Sequence, residues 1–64
     1  MEIARKSQYS GEWNVMELDI TQEQLDAYED GEGRIQDIFP NLSPDEREFL
    51  MTGITPEEWK QIFG

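Results

Sequence analysis

The stretch that decides the fold is Asn41–Gly64, NLSPDEREFLMTGITPEEWKQIFG, because it carries two helix start signals of the same kind. Each signal, SPDE at 43–46 and TPEE at 55–58, places a hydroxyl residue at the N-cap, proline at the first helical position and glutamate at N3. The hydroxyl accepts from the N3 amide and the glutamate from the N-cap amide, while proline has no N–H to leave unpaired. Gly53, between the signals, suits the left-handed conformation that ends a helix. The stretch therefore predicts two short helices joined by a tight turn.

A third capping box, TQEQ at 21–24, predicts another helix upstream of this stretch. That helix is expected to run to about Asp30 and to end at Gly31. A further short helix is predicted over 34–39, where apolar residues recur at i, i+3 and i+4. Pro40 ends it, because the residue before a proline is disfavoured in the helical conformation.

The N-terminal part of the chain has the alternation of a β-hairpin. Residues 13–20, WNVMELDI, alternate apolar and polar side chains in the way typical of a half-buried strand. Residues 2–9 alternate more weakly, and Ser10-Gly11 between the two runs is a turn signal. Because isolated hairpins are marginally stable in water, this one is expected to pack against the helices. The sequence leaves open whether the first strand pairs within the chain or with a second copy.

Together these elements predict an α+β fold in one small domain, 1–64, with a β-hairpin over 1–20 and a helical part over 21–64. A chain of 64 residues builds only a thin core, so dimerisation or partner binding is expected to add to its stability. The side chains expected to be buried are Met16, Leu18, Ile20, Leu25, Tyr28, Ile35, Ile38, Phe39, Leu42, Phe49, Leu50, Ile54, Trp59, Ile62 and Phe63.

The composition excludes several classes of site. The chain contains no cysteine and no histidine, which excludes disulfides, thiolate nucleophiles, Cys/His zinc sites and imidazole acid–base catalysis. No apolar run is long enough to span a membrane, and the N-terminus lacks the apolar region of a secretion signal. A protein of the cytoplasm is expected, since absence of cysteine suits a reducing compartment.

The charge is strongly acidic and unevenly distributed. Acidic residues outnumber basic ones by 15 to 5, which gives a net charge of −10. The segment 21–33 contains five acidic residues and no basic one. Direct binding to nucleic acid is therefore disfavoured, because it depends on neutralising phosphates. An acidic surface instead favours basic partners and speeds encounter with them, although the same charge also serves solubility.

A calcium loop can be considered over 26–37, DAYEDGEGRIQD, where Asp26, Asp30 and Gly31 occupy positions 1, 5 and 6 of an EF-hand pattern. Tyr28 at position 3 cannot ligate, and position 12 is aspartate instead of the bidentate glutamate. The first residues of the loop also continue the predicted helix. No metal and no cofactor is therefore expected.

Two other functions are disfavoured by the placement of the carboxylates. Acid–base catalysis needs carboxylates with shifted pKa values in a cleft, for which a chain of 64 residues has little room, so no enzyme is expected. Residues 43–63 have the shape of a helix-turn-helix, whose second helix meets DNA with its N-terminal residues. Here these residues include Glu57 and Glu58, which would repel phosphates. A helical hairpin that closes a core is the preferred interpretation.

The segment EREFLMTGITPEEW, at 46–59, resembles the C-terminal motif of a group of small uncharacterised phage and plasmid proteins. The resemblance extends back through FP at 39–40, IQ at 35–36, IT at 20–21 and MEL at 16–18, and so covers most of the chain after the hairpin turn. It implies a cytoplasmic protein of a mobile element, and it assigns no activity and no functional residues.

A small acidic protein in that setting is expected to be a non-enzymatic protein-binding module that mimics nucleic acid. The expected target is a host nucleic-acid-handling or defence protein with a basic surface, such as a nuclease or a CRISPR effector. The alternative is an accessory or structural phage protein that forms homo-oligomers, such as a homodimer, or joins a phage assembly through Trp13, Val15 and Met51. The residues expected to contact the host partner are Glu23, Asp26, Glu29, Asp30, Glu32, Glu57, Glu58 and Trp13.

Overall fold

A computed structural model describes all 64 residues and has a two-stranded antiparallel sheet followed by four helices. This confirms the α+β class and the predicted order of a hairpin and then short helices. None of the helices is both long and apolar enough to cross a membrane. The elements are β1 (Glu2–Lys6), β2 (Trp13–Glu17), α1 (Gln22–Glu29), α2 (Ile35–Ile38), α3 (Pro44–Thr52) and α4 (Pro56–Phe63).

The first strand pairs within the chain. β1 lies antiparallel to β2, with Ile3 opposite Met16 and Ala4 opposite Val15. Ile3 is buried and Met16 half-buried, whereas Ala4 and Val15 are exposed, so the hairpin has one face on the core and one face in solvent. Such a two-faced antiparallel sheet accounts for the period of two in the sequence.

All three predicted capping boxes form. The hydroxyls of Thr21, Ser43 and Thr55 each accept a hydrogen bond from the N3 amide of α1, α3 and α4, and each N3 side chain accepts from the N-cap amide. Gly53 ends α3 in the left-handed conformation, with φ of 75°. The one-turn helix α2 has Arg34 as its N-cap, without a side-chain hydrogen bond, and Phe39 as its C-cap, immediately before proline. Local sequence thus determines where each longer helix starts.

The core lies between the inner face of the hairpin and helices α1 to α3. Phe39, Phe49 and Leu18 are the largest fully buried side chains, and Tyr28 contacts Phe39 edge to face with ring centroids 5.9 Å apart. Four side chains predicted to be buried are only partly so and pack against the edge of the core: Met16, Tyr28, Ile35 and Ile38. The buried apolar residues are Ile3, Leu18, Ile20, Leu25, Phe39, Leu42, Phe49, Leu50 and Ile54.

The prediction of a buried apolar face on α4 is wrong for its last turn. Ile62 is 37% exposed and Phe63 is 79% exposed, while Trp59 is half-buried and stacks on Phe63 with ring centroids 5.4 Å apart. The one buried residue of α4 is Glu58, in the first turn. The helix is therefore held at its start, and most of its apolar face lies in solvent. The prediction also omitted Ile3 from the core, because the alternation of the first strand is weak.

Candidate functional site

An open groove between α1 and α2 gathers part of the predicted acidic surface. Its volume is about 540 Å³. Gln24 joins the two walls, since its side-chain amide donates a 2.9 Å hydrogen bond to the carbonyl of Ile38. We call this feature the acidic groove; it is lined by Glu23, Gln24, Asp26, Ala27, Glu32 and Ile38.

The turn after α1 places Glu32 in the acidic groove. The N–H of Glu32 donates to the carbonyl of Ala27 at 2.9 Å, and the N–H of Gly31 donates to the carbonyl of Tyr28 at 3.2 Å. This pair of bonds is the Schellman pattern, and Gly31 adopts the left-handed conformation that it requires, with φ of 72°. The chain consequently folds back, so that a carboxylate after the helix joins two carboxylates within it.

The carboxylates of the acidic groove have no basic partner within the chain. The two ion pairs of the molecule join the N-terminal amine to Glu17 and Arg34 to Asp37, outside the lining of the groove. Asp26 accepts a 2.9 Å hydrogen bond from the side-chain amide of Gln22, whereas Glu23 and Glu32 have no side-chain hydrogen bond. All three acids are exposed, so their negative potential extends into solvent.

Glu29 and Asp30 lie beside the acidic groove and do not line it. Both are exposed at the C-terminal end of α1, where the N–H of Asp30 closes the last turn on the carbonyl of Asp26. The last turn of α1 contains no basic residue. A helix C-terminus carries partial negative charge, so two carboxylates there are unfavourable for the helix.

Two of the three predicted contacts outside 23–32, Trp13 and Glu57, lie on a different part of the surface. Trp13 is 69% exposed on β2, as predicted for a contact residue, and Glu57 is exposed in the first turn of α4. Glu57 helps to line a second groove, of about 370 Å³, between β2 and the start of α4. We call it the strand groove; it is lined by Asn14, Val15, Met16, Thr55, Pro56 and Glu57.

Glu58 has an internal role. Its carboxylate accepts hydrogen bonds from the Ser10 hydroxyl at 2.6 Å, from the Asn14 side-chain amide at 2.9 Å and from the Thr55 N–H at 3.2 Å. The bond from Ser10 lowers the pKa of Glu58 most; the bonds from Thr55 and Asn14 lower it further, and desolvation opposes them. Because Glu58 is only 9% exposed and its carboxylate accepts three hydrogen bonds within the fold, we exclude it from the candidate partner surface.

Sequence reasoning did not identify Ser10 or Asn14 as partners of Glu58. These residues are 48 and 44 positions away from it along the chain, and no local pattern relates a hairpin turn to a distant helix cap. The capping box itself was recognisable, and it was the signal that a glutamate at N3 is bound to its own helix start.

No group of three or more acidic side chains converges closely enough to hold a metal ion. The acidic groove is an open surface whose charged lining residues are all acidic. Comparison of the chain with protein families, with curated proteins and with solved structures finds no match.

Proposed function

We propose that the protein is a non-enzymatic binding module whose acidic groove engages a basic surface of another protein. The observation that carries this proposal is the convergence of Glu23, Asp26 and Glu32 on one open groove without a basic residue to neutralise them. Glu29 and Asp30 extend the same negative surface around the end of α1. Unpaired carboxylates in such an arrangement accelerate encounter with positively charged partners.

The chemistry of the groove suits arginine and lysine side chains. The carboxylates can accept two parallel hydrogen bonds from a guanidinium group or a single charged bond from an ammonium group. Ala27 and Ile38, in the same lining, offer apolar contact to the aliphatic part of such a side chain. The groove therefore combines a charged and an apolar contact for each long basic residue that enters it.

The charge at the end of α1 supports a role beyond helix formation. Glu29 and Asp30 oppose the helix dipole, and no lysine or arginine in the last turn compensates for them. Sequences that depart from locally favourable choices often do so at functional sites. A binding role accounts for the presence of two carboxylates at a position that is unfavourable for the helix.

The class of partner follows from the charge of the surface. A cluster of carboxylates presented on a small fold resembles the negative surface of nucleic acid, so the partner is a protein that binds nucleic acid through a basic surface. With the resemblance to phage and plasmid proteins, this indicates a host nuclease, restriction enzyme, CRISPR effector or polymerase in the cytoplasm. Inhibition then results from occupation of the nucleic-acid site, without any reaction catalysed by the small protein.

The test is an affinity capture from host lysate with the tagged protein, washed at low and at high salt and read by mass spectrometry. A specific basic protein should be retained at low salt and lost at high salt, because exposed charges are screened. The triple variant E23K/D26K/E32K should lose this protein. The matched control E2K/E12K/D45K changes the net charge equally at exposed positions outside the acidic groove and should retain it.

Circular dichroism of both triple variants establishes that they are folded before the capture is compared. Retention of the partner by a folded groove variant would contradict the proposal. Equal loss in both variants would also contradict it, because binding would then depend on net charge alone. Competition by duplex DNA or RNA for the captured protein tests whether its nucleic-acid site is the one occupied.

A further inference from the structure

The outer edge of β2 has unpaired backbone groups. Met1 and Leu18 exchange two hydrogen bonds, of 2.8 and 2.9 Å, and the Ser7 N–H donates to the carbonyl of Glu12 at 2.8 Å. In an antiparallel pair, hydrogen-bonded and non-hydrogen-bonded positions alternate. The register therefore directs the backbone groups of residues 14 and 16 towards β1 and those of residues 13, 15 and 17 away from it.

The opposite edge of the sheet is less accessible. The turn after α3 lies against the end of β1, where the Gln8 N–H donates to the carbonyl of Thr52 at 3.0 Å. A Cβ on Gly53 would lie 2.7 Å from the carbonyl carbon of Lys6 and 3.0 Å from the Ser7 nitrogen, so the two backbones are in close contact. The outer edge of β2 instead adjoins the open strand groove.

β2 lacks three of the features that usually protect an exposed strand, although at five residues it is short. Natural edge strands carry lysine, proline or a bulge that prevents pairing with another chain. β2 reads WNVME, contains none of these residues and pairs in regular register throughout. The side chains on its solvent-facing side include Trp13, which is 69% exposed, and Val15, which is 60% exposed. An apolar strand edge of this kind is suited to accept another strand.

We propose that the protein self-associates by antiparallel pairing of β2 with β2 of a second copy, centred on Val15. The twofold axis of such a pair places Val15 opposite Val15 of the second copy and extends the hairpin to a four-stranded sheet. This inference is independent of the acidic groove, which lies between α1 and α2. It assigns a second surface to the molecule and a second kind of partner.

A second copy can pair at this edge because the symmetric register opposes no two like charges along the paired strands. Trp13 lies opposite Glu17 of the second copy, and Asn14 lies opposite Met16, so no carboxylate faces a carboxylate across the new pair. Within the hairpin, Lys6 already lies opposite Trp13. Each row through Trp13 therefore runs from Lys6 through Trp13 to Glu17 and Glu2 of the second copy, with a lysine at one end and two carboxylates at the other.

The strand groove lies open beside this edge, and the charge of its lining indicates how salt should act on the dimer. The twofold axis of an antiparallel pair is perpendicular to the sheet, so the starts of both α4 helices lie on the same face of the new junction. Glu57 lines this groove, so the Glu57 carboxylates of both copies lie on that face. Salt should therefore strengthen self-association, in contrast to the weakening expected for binding at the acidic groove. The contact of two short strands is small, so a weak and transient dimer is expected.

The experiment is sedimentation equilibrium of the full chain over a concentration series from micromolar to millimolar, at low and high salt. The wild type should approach twice its 7.5 kDa mass, and at lower concentration when salt is high. Val15→Pro removes an outward N–H without loss of a ladder bond and should remain monomeric. Ala4→Pro is the matched control, because it removes an outward N–H from the other edge of the same sheet, and it should still dimerise.

Val15→Lys and Ala4→Lys repeat the comparison without a change in backbone, in case either proline variant fails to fold. Lysine at position 15 would face its own symmetry mate and should abolish the dimer, while lysine at position 4 should not. A wild type that stays monomeric throughout the series overturns the proposal. A dimer that survives both substitutions at position 15, or that is lost on substitution at position 4, overturns it as well.

Discussion

The hydroxyl of Ser10 donates a 2.6 Å hydrogen bond to the carboxylate of Glu58 and so connects the hairpin turn to the first turn of the last helix. The Asn14 side-chain amide strengthens this connection by donating both to Glu58 and to the carbonyl of Gly53, each at 2.9 Å. Most apolar residues of α4 are outside the core, so these polar contacts and the buried Ile54 before the helix attach it to the fold. A helix attached in this way depends on the ionisation of one carboxylate.

The first prediction is that Ser10→Ala lowers the melting temperature at neutral pH and has less effect in acid. The bond from Ser10 is the main reason that the folded pKa of Glu58 lies below its ordinary value of 4.5. A depressed carboxyl pKa contributes stability that is present above the unfolded pKa and is lost as pH falls through the folded pKa. Thermal unfolding of both proteins from neutral pH to below 4.5 measures this.

Glu12→Gln is the control for this measurement, because the Glu12 side chain is exposed and makes no hydrogen bond in the structure. It should change the melting temperature little, as surface substitutions usually do. A difference between wild type and Ser10→Ala that remains constant into acid would show that the hydroxyl does not act through the ionised form of Glu58.

The second prediction concerns Gly53, which requires a residue without a side chain for two reasons. Its φ is 75°, and a Cβ there would collide with the carbonyl group of Lys6. Gly53→Ala should therefore lower the free energy of unfolding by about 2–4 kcal/mol, from backbone strain together with the forced separation of α3 and β1. Urea denaturation followed by tryptophan fluorescence measures the loss.

Gly31→Ala separates the two contributions to the effect at Gly53. Gly31 has nearly the same φ, 72°, but a Cβ there would meet nothing within 4 Å. Its substitution should cost only the strain of the left-handed conformation, about 1 kcal/mol. Equal losses at the two glycines would mean that the close approach of Gly53 to β1 contributes nothing.

The third prediction distinguishes two phenylalanines that similar helical spacing assigns to the core. Phe49 is fully buried and Phe63 is 79% exposed. Phe49→Ala should destabilise the fold by about 3–5 kcal/mol, or prevent folding, through the cavity that it leaves. Phe63→Ala should lower the free energy of unfolding by about 1 kcal/mol or less, mainly through loss of its stacking on Trp59. Denaturation of each variant is the measurement, and a large loss at Phe63 would place the last turn of α4 in the core.

Phe49 and Phe63 also show which features of the fold can be predicted from the sequence and which cannot. The starts of α1, α3 and α4 were predictable because a capping box is a local pattern that satisfies its own backbone groups. The burial of α4 was not, since an amphipathic helix shows which face is apolar but not whether any surface is available to cover it. With the core filled by Phe39, Phe49 and Leu18, little of the apolar face of α4 is covered.

The same distinction applies to the candidate site. The segment 21–33 was recognisable as an acidic run, because charge density can be read directly from the chain. The sequence does not show which of these carboxylates line the acidic groove and which lie at the end of α1. That arrangement depends on the Schellman turn at Gly31 and on the hydrogen bond from Gln24 to α2. The sequence also does not show which backbone groups of β2 are unpaired, because their direction follows from the register with β1.

The fourth prediction is that Glu29→Gln stabilises the fold while it weakens binding at the acidic groove. Glu29 is exposed in the last turn of α1, where its charge opposes the helix dipole and no basic residue compensates. Its neutralisation should raise the free energy of unfolding by a few tenths of a kcal/mol at low salt, and the gain should disappear at high salt. Urea denaturation at two ionic strengths measures the gain, and capture of the basic partner measures the loss of binding.

Asp45→Asn is the matched control for this trade-off, because it removes one negative charge from the first turn of α3, where the dipole favours that charge. Both substitutions remove one negative charge from a chain of net charge −10, so both reduce the overall repulsion by a similar amount. The helix dipole disfavours the charge of Glu29 and favours that of Asp45. Asp45→Asn should therefore destabilise the fold and leave partner capture intact. A similar rise in the free energy of unfolding of both variants would mean that the stabilisation comes from reduced net charge. The position of Glu29 at the end of α1 would then no longer support a binding role.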